Sequence, residues 1–109
     1  MPTLDLQPAH LRTLLAIVTA HAPDAEIWAY GSRVGGPAHE GSDLDLVVRN
    51  PKRLDAPQMN LHRLRDALTE SDLPFLVEVL DWARIPEAFR REIERLHVVL
   101  MSPEHTSAK

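Results

Sequence analysis

The stretch GSRVGGPAHEGSDLDL, Gly31 to Leu46, decides how the rest of this chain is read. It opens with Gly31-Ser32 and closes with Asp43-Leu44-Asp45, with ten residues, Arg33 to Ser42, in between. Upstream, Ile27-Trp28-Ala29-Tyr30 is apolar and partly aromatic and reads as a buried strand; downstream, Leu44 to Val48 reads as a second one. Side chains two apart on a strand point the same way at about 3.3 Å of rise per residue. Asp43 and Asp45 are therefore expected to project from one face, with backbones about 6.6 Å apart, while Leu44 and Leu46 point into the core. Two acids side by side repel each other unless a positive charge lies between them, and a divalent cation is the obvious candidate.

A chain of 109 residues suits one domain, here 1–109, with a core over about residues 4–100 and a polar tail at 102–109. With 44% hydrophobic and 26% charged residues, it belongs with ordinary soluble globular chains. The absence of cysteine excludes disulfides and thiolate metal sites. MPTLDLQPAHLR at the N-terminus has no basic segment followed by an apolar run, so neither a signal peptide nor a membrane span is expected and the location is read as cytoplasmic. A formal net charge of −4 argues against a broad nucleic-acid surface, which needs clustered Lys and Arg.

The remaining elements follow from periodicity and punctuation. Leu11, Leu14, Leu15 and Val18 predict an amphipathic helix over about residues 8–20, ended by Pro23. The first strand is expected over 26–30. Gly31 supplies a turn, Ser32 is placed to cap a short helix starting at Arg33, and Gly35-Gly36-Pro37 breaks it. A loop over 37–42 leads to the second strand, 43–49. Leu61, Leu64 and Leu68 predict a helix over 57–70, residues 75–80 a third strand, and Ile85, Phe89, Ile93 and Leu96 a last helix starting near Pro86. Residues 97–101 read as a short closing strand. The fold expected is α/β (α+β), a small mixed sheet of three or four strands backed by helices.

A Gly-Ser turn presents backbone N–H groups and a hydroxyl to an anion, and glycine lets the backbone come close to it. Magnesium prefers oxygen ligands and takes one or two carboxylates together with phosphate oxygens. Gly31 and Ser32 as a phosphate cradle, with Asp43 and Asp45 as a metal clamp, together describe a nucleoside triphosphate site. A pair of metals needs a third acid. Glu78 interrupts the apolar run from Phe75 to Leu80, where a charge is costly unless it faces a cleft. Asp81 is the runner-up; its parity on the strand is opposite, so at most one of the two faces the site. Arg33 is read as structural. The six histidines, His39 in the motif loop among them, are scattered without a helix-face spacing, which argues against zinc. Trp28, Trp82, Phe75 and Phe89 read as core or interface residues.

G-S, ten residues, D-x-D and a later acid on a strand resemble the nucleotidyltransferase superfamily that includes DNA polymerase beta. The likeness is nearest to its minimal, MNT-type members, on three patches: Gly31-Ser32-Arg33-Val34-Gly35-Gly36 for their G-S-R-x-x-G opening, Ser42-Asp43-Leu44-Asp45-Leu46 for S-D-x-D-L, and Val77-Glu78-Val79-Leu80-Asp81 for an apolar-acid-apolar-apolar-acid strand. Members often carry Asp where this chain has Glu78. The resemblance implies Mg²⁺-dependent transfer of AMP from ATP, with Asp43, Asp45 and Glu78 as catalytic metal ligands and Gly31 and Ser32 at the phosphates. It further implies an antitoxin role: pairing with a helical HEPN-type toxin whose tyrosine hydroxyl accepts the AMP. The chain's small size leaves no second domain for an acceptor pocket, so the acceptor is expected on another chain. The alternatives are an antitoxin that acts by binding alone and one half of a small-molecule, drug-modifying nucleotidyltransferase. Polynucleotide polymerases fit less well, because their extra domains and basic surface are missing.

Overall fold

The computed structural model describes residues 3–35 and 42–103. Gly36, the expected loop from Pro37, His39 and the tail from Glu104 lie outside the described residues.

Helix α1 (Pro8–His21) opens on a proline, whose missing N–H costs nothing in a first turn, and buries Leu14 and Val18. Strands β1 (Glu26–Tyr30) and β2 (Leu44–Arg49) follow, then α2 (Leu61–Thr69), β3 (Val77–Asp81), a 3-10 turn at Trp82–Arg84, α3 (Glu87–Arg95) and β4 (Val98–Met101). The sheet order is β3-β2-β1-β4. β1 runs antiparallel to both β2 and β4, whereas β2 and β3 are parallel. A parallel pair needs a crossover connection, and α2 supplies it. The result is a four-stranded mixed sheet with helices against it, within the three or four strands expected.

Alternation along the strands sorts the two faces. Leu44, Leu46 and Val48 of β2 join Ile27, Ala29 and Val79 in one core, closed by Leu14 and Val18 of α1 and Leu64 and Leu68 of α2. Trp28, Val47, Trp82 and Ile93 form a second core on the opposite face, where α3 packs with Phe89. Arg49 crosses this second core. It pairs with Glu26 at 2.7 Å and lies over the rings of Trp28 and Trp82 at 3.8 and 4.5 Å. His97 stacks on Trp28 with centroids 3.7 Å apart. At the sheet edge, Arg65 of α2 donates from Nε and Nη2 to the Val79 carbonyl of β3, at 3.2 and 2.7 Å. None of the described helices is long and apolar enough to cross a membrane.

Three features differ from the sequence reading, two of them because a tertiary partner takes the backbone groups. No helix starts at Arg33. The Val34 N–H closes a turn onto Gly31 O at 3.0 Å, and the N-terminal segment takes the neighbours: Asp5 N–H donates to Arg33 O at 2.7 Å and Gly35 N–H to Thr3 O at 3.1 Å. Helix α2 begins at Leu61, not Pro57. Gln58 N–H is drawn to Asp81 Oδ2 at 2.8 Å and Asn60 adopts left-handed φ of 61°, so the chain bends before the helix starts. Strand β3 begins at Val77, two residues later than read, and ahead of it the Phe75 ring receives the Arg33 guanidinium at 4.4 Å and His10 edge-on at 5.7 Å.

Candidate active site

Ladder register assembles the site. In β1–β2 Tyr30 is the partner of Asp45, and in β2–β3 Asp45 is the partner of Glu78. The three side chains form one row across three strands, about 4.8 Å per step, on the face that carries α3. Asp43, two residues ahead of Asp45 and just outside β2, is exposed, as is Glu78, while Asp45 is half-buried. Burial holds the Asp45 carboxyl above the ordinary carboxylate range, and the negative charges of Glu78 and then Asp43 raise it further. Electrostatically, both sequence-predicted neighbours of Asp45 act on it.

Gly31 adjoins this row. Its φ is +86°, and a β-carbon there would overlap Asp45 Oδ2. Only glycine supplies that backbone and that proximity together. Ser32 follows in the same turn and is exposed. Arg33 is 5% exposed, with Nε donating to Ser42 O and Nη1 to Asp5 O, both at 2.9 Å. It thereby ties the two described ends of the motif loop together, so that Ser32 and Asp43 stay on one rim. This is the structural role read for it from the sequence.

Asp81 is placed elsewhere. It is 4% exposed, accepts from the N–H groups of Gln58 and Ala83 at 2.8 and 3.2 Å, and faces Arg84 at 3.4 Å. Of the two acids of β3, Glu78 joins Asp45 and Asp81 organises the turn after the strand. A cavity of about 440 Å³ lies beside Asp81, Arg65 and Arg84, and none of the acids of the row lines it.

The sequence reading treated Tyr30 only as part of an apolar strand. Its ring packs edge-on against Phe89 at 5.7 Å. Its phenol is pushed up to about 12 by burial, then by Asp45 and Glu78, so it is a neutral group beside the acids at ordinary pH. Alternation in the sequence puts Tyr30 on the face of Trp28, and the pairing of β1 with β2 brings Asp45 to that face.

Among the described residues no three His, Asp or Glu side chains are drawn together into a ready-made metal cage. The donor set still suits magnesium, which uses one or two carboxylates and completes its shell with water and substrate phosphate. The donors at Asp43, Asp45 and Glu78 are all hard carboxylate oxygens, and the crowding of negative charge at Asp45 is what a cation relieves.

Comparison with known proteins bears on the family and the fold. A family model described as a nucleotidyltransferase domain matches residues 11–100. The probable protein adenylyltransferase MntA of Haemophilus influenzae is 41% identical over 106 residues, covering 97% of this chain and 91% of the relative. A crystal structure of a toxin–antitoxin with AMP-PNP superposes with a TM-score of 0.68 at 18% identity, over 88% of this chain and 76% of that one. A crystal structure of the toxin–antitoxin MntA-HepT gives 0.65 at 16%, over 92% and 76%. The two structural likenesses bear on the fold.

Proposed function

The chain belongs to the nucleotidyltransferase domain family, and from that premise we propose that it transfers AMP from ATP to a tyrosine hydroxyl of a helical HEPN-type partner, as the antitoxin of a toxin–antitoxin pair. The observation that carries the reading is the meeting of Gly31, Asp45 and Glu78: a glycine turn pressed against one carboxylate, with a second carboxylate in register beside it. The likeness to MntA, over nearly the full length of both chains, supports the choice of protein as acceptor.

In this reading Gly31 and Ser32 receive the phosphates through backbone N–H and hydroxyl. Asp43, Asp45 and Glu78 would hold Mg²⁺, which when bound neutralises charge on the phosphates and favours an ionised acceptor oxygen. The acceptor hydroxyl approaches from the Glu78 side and its oxygen bonds to the α-phosphorus, while the bond to pyrophosphate breaks on the Gly31-Ser32 side. The hydroxyl proton passes to a carboxylate of the row or to water. Arg33 keeps the rims in place.

The test is intact-mass spectrometry of the partner after incubation with ATP and Mg²⁺. AMP addition by the wild type that is lost in Asp43→Asn supports transfer. Neutralised toxicity with no mass change in either protein overturns it in favour of binding alone.

A further inference from the structure

Five large apolar side chains are markedly exposed among the described residues: Leu54, Met59, Leu76, Leu96 and Val99. Leu76 alone stands on the segment that carries Glu78. Its carbonyl accepts the Leu44 N–H at 2.9 Å, so its backbone is fixed by the ladder between β2 and β3. Its neighbours Phe75 and Val77 pack against the α1–α2 core, which sends Leu76 to the opposite face, the face of Glu78 and Asp45. There it is 68% exposed beside exposed Asp43.

We propose that Leu76 is the apolar anchor of the surface on which the acceptor protein docks; the inference rests on the nucleotidyl-transfer reading above. The first argument is positional. In-line displacement puts nucleophile and leaving group on opposite sides of the phosphorus. With pyrophosphate at Gly31-Ser32, at the β1 end of the row, the acceptor comes in over β3, where Leu76 and Glu78 stand. The second is charge. The chain as a whole carries a net charge of −4, so the segment that fits it is basic as well as apolar. The occupant is a helical protein segment that carries the acceptor hydroxyl, sets an aliphatic or aromatic side chain on Leu76 and carries Lys or Arg around that contact. Apolar anchors ringed by polar groups are the usual centres of such interfaces.

Leu76→Ser is the test variant. An exposed position tolerates the change with little effect on folding, and Met59→Ser, at an 82% exposed site outside the segment that carries Glu78, is the control. The probe is the purified HEPN-type protein that the proposed function assigns to this chain as its partner. The expected result is a Kd and a KM for that protein raised about tenfold in Leu76→Ser, with kcat at saturating partner and the thermal shift by Mg²⁺-ATP unchanged. Met59→Ser should match the wild type. Unchanged Kd and KM in Leu76→Ser overturn the docking surface, and so does an equal loss in Met59→Ser. A wild type that binds in a Leu76-dependent way yet adds no AMP overturns the transfer reading and leaves the surface standing. A wild type that does not bind the partner overturns both.

Discussion

The carboxylate of Asp45 lies so close to the α-carbon of Gly31 that a β-carbon on Gly31 would overlap Oδ2. The turn that would receive phosphate and the acid that would receive metal are thus in direct contact, and neither can shift without the other. Gly31→Ala brings two penalties. A left-handed backbone costs an L-residue about 1–2 kcal/mol, and the new methyl group displaces the Asp45 side chain. Urea denaturation should show a loss of at least that size, accompanied by a fall in transfer. Wild-type stability in Gly31→Ala would contradict the contact.

The two acids of β3 should separate cleanly. Glu78 is exposed in the row, so Glu78→Gln should abolish transfer and leave the melting temperature within a degree or two, a surface-substitution effect of about ±0.5 kcal/mol. Asp81 is buried and accepts two backbone N–H groups. Asp81→Ala should leave those donors unpaired and destabilise by about 1–3 kcal/mol, while transfer by the folded fraction persists. The opposite pattern would move the third acid from Glu78 to Asp81.

Asp45 makes stability depend on pH in a defined direction. Its carboxyl is raised in the folded protein by burial, Glu78 and Asp43, so the folded state holds that proton more tightly than the unfolded chain. This contribution is most favourable below the ordinary aspartate range and is lost as pH rises through the raised folded value. At neutral pH without metal, Asp45→Asn should therefore melt above the wild type. Mg²⁺ with ATP should reverse the order, stabilising the wild type more than ATP with EDTA does. The Asp43→Asn, Asp45→Asn double variant should lose that metal-dependent increment. Equal shifts with and without metal would count against a metal site here.

Tyr30 is the only tyrosine of the chain, so tyrosinate absorbance reports it alone. The folded protein should titrate near 12, against 10.0 for a free phenol. Because the folded value is the higher one, stability should fall as pH rises across that interval. Tyr30→Phe, which keeps the ring against Phe89, should remove this part of the loss. A folded-state midpoint at the ordinary phenol value would mean that Tyr30 is neither buried nor beside the acids.

Much of this arrangement was legible in the order of residues. The spacing of Gly31-Ser32 and Asp43-Leu44-Asp45 identified the rim, and the alternation of Leu44, Asp45 and Leu46 set which side chains face out. Helix periodicity located α1 and α3 within a residue or two. Other features belong to contacts between distant segments. Nothing local says that residues 3–5 will bond to the Arg33–Gly35 backbone and forestall a helix, or that Asp81 will draw in Gln58 and delay α2. The register that sets Tyr30 beside Asp45 and Asp45 beside Glu78 is likewise a property of paired strands. Parity alone allowed Glu78 or Asp81; only the neighbouring strand distinguishes them.

The Arg65 guanidinium on the Val79 carbonyl has a consequence for how the molecule behaves in a crowded solution. β3 ends the sheet, and a bare strand edge invites a like strand from another molecule to extend the ladder without limit. With one outward acceptor already taken by a charged side chain from α2, an incoming strand must first evict an arginine. A second copy of the chain is thereby discouraged from adding its own strand to this edge.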